Sequence, residues 1–255
     1  MIEKPVIYVY FMYIEVILYI GGNMKIGLIC AMEVEVQSIR DKLENPRESV
    51  VSCISFVEGE LSGKQVVVTK CGVGKVNAAL CTEILILKFG VTHVINSGVA
   101  GGLDKRLAVM DTVVSTDALH HDMNAVAFGY KQCQVPGFNT VAFPADEMMI
   151  QAVETAYQKG KDEGKLSRKI IRGRVATGDV FVNSPDIKKQ IIGMCDASCC
   201  EMEGAAVAQV CYVNKIPYVI IRCVSDLAEK TDEVYREEEA AAESAYITTK
   251  TIEVM

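Results

Sequence analysis

Three features of the chain predict an α/β fold, a three-layer α/β/α sandwich around a central mixed, mostly parallel β-sheet. From Lys25 onward, short runs rich in β-branched residues alternate with stretches of helical periodicity, the pattern of repeated strand–helix–strand units. Two strand-like runs between residues 50 and 70, joined by a turn, make the sheet mixed rather than wholly parallel. The polar and glycine-rich segments fall just after the strand runs, on the rim where such sheets gather their ligands.

Taken in order, Ile26–Cys30 reads as a buried strand and Val36–Leu43 as the helix after it. Val50–Glu58 and Gln65–Lys70 read as paired strands, with the turn between them at Leu61-Ser-Gly-Lys64. Val76–Phe89 has apolar residues at helical spacing and is closed by Gly90, a residue that suits a helix C-terminus. Val94–Asn96 and Thr112–Ser115 follow as strands, and Asp146–Lys159 as a helix. Ile170–Ala176, Ala205–Val213 and Tyr218–Val224 continue as strand, helix and strand, and Glu237–Glu253 closes the chain as a helix. No repeat, linker or composition shift divides residues 24–255, which read as a single domain.

The 255 residues carry a net charge of -7, and 50% are apolar, enough for a large buried core. The acidic balance counts against a nucleic-acid partner, which wants clustered Lys and Arg, and favours a small neutral or weakly charged ligand. Ten cysteines include no CxxC pair, and the three histidines form no cluster of metal-ligand spacing. Cys71, Cys81, Cys211 and Cys223 sit in apolar runs, where Cys acts as a small hydrophobe, so a reducing cytoplasm is the expected compartment. Residues 1–23 form an apolar N-terminal extension, with Pro5 to Ile20 interrupted only by Glu15. That run is about 16 residues, short of the roughly 20 a membrane helix needs. It also lacks the basic leader and small-residue cleavage site of a signal peptide, so no membrane anchor is expected.

Segments at the strand exits carry the candidate chemistry. Gly72-Val-Gly-Lys75 lacks the spacing and the Ser or Thr of a phosphate-binding loop and reads as a strand-to-helix turn. Ser97-Gly-Val-Ala-Gly-Gly102 is a loop of small residues that lets backbone approach a flat ligand. Thr177-Gly-Asp-Val-Phe181-Val182-Asn183 sets an aromatic in a polar frame, which leaves Phe181 as either a ligand contact or a core residue. Glu201-Met202-Glu203-Gly204 puts carboxylates at a strand-to-helix junction, where a single acid would serve as a cap. A pair flanking Met202 needs a polar partner, and a ribose diol is one, bound through charge-assisted hydrogen bonds. Arg222-Cys-Val-Ser-Asp226 adds an acid at the end of the next strand, and Ala31-Met32-Glu33-Val34-Glu35 supplies Glu33 and Glu35 after the first. His120-His121-Asp122 has adjacent histidines pointing in different directions with no third ligand, and no metal site is expected.

Together the segments around Glu35, Glu203 and Asp226 resemble the 5′-methylthioadenosine/S-adenosylhomocysteine nucleosidase family of the purine nucleoside phosphorylase superfamily, from about Met24 to the C-terminus. The resemblance implies a nucleoside phosphorylase-like sandwich. It also implies hydrolysis of the N-glycosidic bond of both thio-nucleosides, to adenine plus methylthioribose or ribosylhomocysteine, in methionine salvage and without a cofactor. By resemblance Asp226 is the acid that protonates purine N7, with Ser225 fixing its orientation, and Glu35 is the base that polarises water. Glu203 clamps the ribose, Met202 packs on the sugar, and Glu201 supports the water or the same sugar edge. Phe181 stacks on adenine, the Val182 backbone reads the base edge, and Gly101 and Met32 lie close to the ligand. Val99 stands where the family has Ser, so a hydroxyl contact is lost there while backbone contacts are kept. A homodimer is implied, in which Phe128 and Pro136 reach the partner's 5′ pocket and Tyr235 lines it.

The chemistry of the residues agrees. Adenine leaves poorly as an anion and well as a neutral base, so the acid must carry a proton in the complex. The oxocarbenium-like sugar then needs a nucleophile on its other face, so a second acid must be ionised, as in inverting glycosidases. In phosphorylases that this chain resembles, the first strand exit carries an Arg for phosphate, whereas here it carries Glu33 and Glu35, which repel a phosphate dianion. The alternatives are a futalosine-type nucleosidase, a purine nucleoside phosphorylase, or a non-catalytic nucleoside-binding or storage protein; the last should have lost an acid.

Overall fold

The computed structural model describes residues 24–229 and 236–255, so the apolar extension 1–23 and Tyr235 lie outside the described residues. After β1 (Lys25–Cys30) come α1 (Glu33–Arg40) and a meander of β2 (Glu44–Val51), β3 (Ile54–Leu61) and β4 (Lys64–Lys70). Then follow α2 (Lys75–Leu87), β5 (His93–Gly102), β6 (Thr112–His120), the short β7 (Phe143–Pro144) and α3 (Glu147–Asp162). The chain continues with β8 (Ile170–Thr177), α4 (Pro185–Cys195), β9 (Cys199–Glu201), α5 (Gly204–Asn214), β10 (Tyr218–Asp226) and α6 (Glu237–Val254).

Alternation along the central strands builds two cores. Successive side chains of a strand point to opposite faces. Ile26, Leu28 and Cys30 of β1 enter one cluster with Val36 and Ile39 of α1, Val153 of α3 and Ile247 of α6. Ile29 enters the other, with Ala78, Cys81 and Leu85 of α2 and Val207 and Cys211 of α5. Helices therefore cover both faces of the sheet, the three-layer arrangement that the alternating pattern predicts. Gly27 sets the closest approach, because a Cβ there would stand 3.1 Å from Leu85 of α2.

The sheet is mixed, as expected. β1 runs parallel to β4 on one side and β5 on the other, and β5 is parallel to β10. β10 pairs antiparallel with β6, β6 and β8 are parallel, β8 and β9 are parallel, and β9 returns antiparallel to β5. The circuit β5–β10–β6–β8–β9 closes on itself, while β3 and then β2 extend the sheet beyond β4, each antiparallel to the strand before it. Closure leaves the five strands of the circuit without a free edge, while β2 remains an edge of the extension. It also turns the carboxyl ends of strands that are distant in sequence toward one rim.

The structure differs from the sequence reading at several elements. The expected strand 50–58 is the meeting of β2 and β3, which turn at Ser52 and Cys53 with φ of 51° and 63°. Neither residue is the glycine or asparagine that usually marks a turn at positive φ, so the reversal left no clear signal. Helix α1 begins at Glu33 rather than Val36, which places Glu35 in its first turn. β9 and α4 were not expected. β9 is too short for a periodic signal, whereas Ser184-Pro185 is a helix-start pattern that opens α4. Among the described residues, no helix is long and apolar enough to cross a membrane.

Candidate active site

The strand ends meet around a cavity of about 210 Å³. Met32 and Glu35 enter it from the β1–α1 junction, Val99 and Gly101 from β5, and Phe181 from the loop after β8. Glu201, Met202 and Glu203 come from the β9–α5 junction, and Ser225 and Asp226 from the end of β10. A smaller recess of about 40 Å³ runs past Phe181 and Asp226 to Val182, whose side chain is buried. Phe128 and Pro136 do not line the cavity; both are exposed on the surface.

Glu35 is 2% exposed. Its Oε2 accepts from the backbone N–H of Ala31 at 2.8 Å and of Met32 at 2.9 Å, and its Oε1 accepts from Val99 N–H at 3.2 Å. The first turn of α1 thus uses Glu35 as an internal cap. Burial pushes its carboxyl up, while Arg222 and these N–H donors pull the other way. Glu33, its competitor in sequence, instead pairs on the surface with Arg40 and Lys70.

Arg222 organises the other acids. It is the buried cation of β10, and its Nη2 donates to Asn96 Oδ1 at 2.7 Å, contacts Glu201 directly, and lies 3.6 Å from Glu203 Oε2. Burial opposes its charge, but Glu201, Glu203 and Glu35 together outweigh that and hold it protonated. No role for Arg222 follows from the resemblance; the signal for it in the sequence is a lone charge inside the apolar run Tyr218–Val224.

Glu201 is fully engaged by protein groups. It accepts from Thr177 Oγ1, from Glu203 N–H at 3.1 Å and from Gly204 N–H at 2.7 Å, besides its pairing with Arg222. Its carboxylate therefore holds the start of α5, where the helix dipole favours it. Glu203 accepts from Gly74 N–H at 2.9 Å through Oε1. Burial first, and then the charge of Glu201, push the Glu203 carboxyl up to about 7.

Asp226 reaches the rim through a register shift between Val224 and Asp226 in the pairing with β5, which sets Asp226 opposite Gly101. Its Oδ2 accepts from Ser225 Oγ at 2.9 Å and its Oδ1 from Ala228 N–H at 2.7 Å. A Cβ on Gly101 would stand 3.2 Å from Asp226 Oδ1, so glycine keeps this corner open. The neighbouring Gly98 is anchored to α6 by its N–H to Ser244 Oγ at 3.1 Å. A Cβ on Gly98 would run into both Arg222 and Glu35.

Phe181 is 56% exposed and forms part of the cavity wall rather than the core. Gly72 and Gly74 adopt φ of 84° and 102°, the conformation of a glycine turn, and Lys75 pairs with Asp122. His120 and His121 are buried; His120 Nε2 lies 2.9 Å from Gln209 Oε1, and His121 packs against Gly178.

A profile described as the phosphorylase superfamily matches residues 25–253. A curated relative from Psychromonas ingrahamii, a 5′-methylthioadenosine/S-adenosylhomocysteine nucleosidase, is 44% identical over 216 residues, covering 83% of this chain and 89% of its own. Among solved structures, the 5′-methylthioadenosine/S-adenosylhomocysteine nucleosidase of Neisseria meningitidis in complex with methylthio-immucillin-A matches with a TM-score of 0.85. It is 36% identical and the match covers 91% of this chain and 99% of that one. The futalosine hydrolase of Helicobacter pylori also matches, with a TM-score of 0.83 at 28% identity over 91% of this chain and 98% of that one. The chain belongs to the 5′-methylthioadenosine/S-adenosylhomocysteine nucleosidase family of that superfamily.

Proposed function

We propose that the chain hydrolyses the N-glycosidic bond of 5′-methylthioadenosine and S-adenosylhomocysteine, releasing adenine with methylthioribose or ribosylhomocysteine. One observation carries this reading: a single cavity holds Glu35, Glu203 and Asp226, and no lysine or arginine is among its described lining residues. A phosphate nucleophile would find no cation there, whereas water needs only a base.

In this mechanism Asp226 gives its proton to purine N7 as the glycosidic bond breaks and its electron pair passes to the departing base. Glu35 takes a proton from the water that adds to the sugar carbon. Glu203 accepts from the ribose hydroxyls, and Met202 and Met32 line the sugar. Phe181 supplies a stacking face for adenine, with the Val182 backbone and the open corner at Gly101 beside it. Ser225 orients Asp226, and Val99 contributes its N–H to Glu35. Glu201 acts on the sugar through Glu203 and the start of α5. A homodimer is supported by Val76 and Leu80, exposed one turn apart on α2 beside the cavity residue Val73, and by exposed Phe128. In that dimer Phe128 and Pro136 would serve the partner's pocket. Ten free cysteines support a reducing, cytoplasmic setting.

The test is incubation with methylthioadenosine, with and without phosphate, following adenine and sugar by chromatography. Phosphate-independent release of adenine and free methylthioribose is expected. A phosphate requirement with a sugar 1-phosphate product would overturn the role of Glu35, and turnover of futalosine alone would move the substrate assignment.

A further inference from the structure

Lys75 opens α2, directly after Gly74, whose N–H donates to Glu203 Oε1 at 2.9 Å. Its Nζ donates to Asp122 Oδ1 at 2.7 Å and Oδ2 at 2.6 Å, and lies 3.7 Å from Asp179 Oδ2. Its backbone N–H donates to Asp179 Oδ1 at 2.9 Å. Asp179 in turn donates its own N–H to Asp122 Oδ2 at 3.1 Å. Lys75, Asp122 and Asp179 thus tie three strand exits together, those of β4, β6 and β8. The loop after β8 is the one that carries Phe181 into the cavity wall. Two glycines let the parts close up: a Cβ on Gly74 would stand 3.2 Å from Asp179 Oδ1, and one on Gly178 would run into the His121 ring.

We propose that Lys75 is a positioning residue that fixes the Phe181 loop relative to Glu203, and so sets the spacing between the base-stacking wall and the ribose clamp. It acts through Asp122 and Asp179 and does not touch the substrate. The inference rests on the assignment of Phe181 and Glu203 as nucleoside contacts. Isolated partly exposed ion pairs contribute little, but they matter where several charges join in a network, as Lys75, Asp122 and Asp179 do. Contacts to the base are made in the ground state and the transition state alike, so a loosened loop raises KM and leaves kcat nearly unchanged.

The experiment compares wild type, Lys75→Met and Lys75→Arg in methylthioadenosine hydrolysis, together with hydrogen exchange of the amides of residues 178–182. For Lys75→Met, KM is expected to rise about three- to fivefold with kcat within about twofold, and the loop amides to exchange faster. Lys75→Arg keeps the charge and should restore both. A fall in kcat at unchanged KM, failure of Lys75→Arg to restore KM, or unaltered exchange in Lys75→Met overturns the proposal. Should wild type leave the nucleoside intact, the substrate reading fails by itself. The exchange comparison still decides whether Lys75 holds the loop: faster exchange supports the hold and unaltered exchange refutes it.

Discussion

Arg222→Met removes the one charge that Glu201, Glu203 and Glu35 share, while keeping an unbranched side chain of similar reach. Arg222 is 1% exposed, so water cannot take over its role. Removing one partner of a buried ion pair costs about 3–5 kcal/mol, because the other charges stay behind uncompensated. At about 2–4 °C per kcal/mol for a domain of this size, the melting temperature should fall by roughly 6–20 °C near pH 8. The pH dependence has a definite sign. Glu203 already has its carboxyl raised from 4.5 to about 7 by burial and by Glu201. A raised acid binds more protons folded than unfolded, so its contribution is fully present below the unfolded value and is lost as pH rises through the folded one. Without Arg222 that folded value climbs further. The deficit of the variant should therefore be largest at pH 8–9 and shrink toward pH 5, where the carboxyl groups can take up protons. Urea unfolding at pH 5, 7 and 8.5 measures it. The acid limb of kcat/KM should also move up by about one to three units, as expected when an opposite charge is withdrawn. Wild-type stability at pH 8.5, or a deficit that grows on acidification, would refute the reasoning.

Asp226→Asn preserves the size of the side chain but removes the transferable proton; turnover should fall at least about a hundredfold with nucleoside binding within a few-fold, read by adenine release and by equilibrium binding. Phe181→Ala removes the stacking face, for which about 1–3 kcal/mol is typical, so KM should rise roughly 5- to 150-fold with little change in kcat. Gly98→Ala drives a methyl into Arg222 and Glu35. It should cost about 1–3 kcal/mol in urea unfolding, typical of overpacking, together with a loss of turnover. Wild-type activity and stability in this variant would show that the two side chains are not fixed as described.

The layers of the fold were legible because continuously apolar strands and amphipathic helices alternate, and each strand's side chains divide between two cores. The closed circuit of strands was not. It depends on β9, whose three residues pair with β5 and β8 and carry no period of their own. Positions of the acids were readable because they fall at strand exits, where a buried carboxylate has no reason to be unless something polar meets it. Their division of labour was not readable. Glu201 and Glu203 flank the same methionine, yet Glu201 is filled by Thr177, two backbone N–H groups and a direct Arg222 contact, whereas Glu203 receives one backbone N–H and lies 3.6 Å from Arg222. That difference comes from Gly74 and Arg222, which lie far from both in sequence and are brought in only by the fold.

In the proposed mechanism the hydrogen-bond partners suit Glu35 to the part of the base and Asp226 to that of the acid. Glu35 is met by the N–H groups of Ala31, Met32 and Val99, which can only donate. Those bonds favour the ionised carboxylate, the form that takes a proton from water. Asp226 is placed differently. Its Oδ1 is fixed as an acceptor by Ala228 N–H, but its Oδ2 faces the hydroxyl of Ser225, which can donate or accept as it rotates. Burial acts on Glu35 in the opposite sense and keeps it from becoming too weak a base, since a strongly stabilised carboxylate would not accept a proton. Arg222 stands behind Glu201 and Glu203 rather than in the cavity wall, so it compensates their charge without offering a cation to an incoming phosphate.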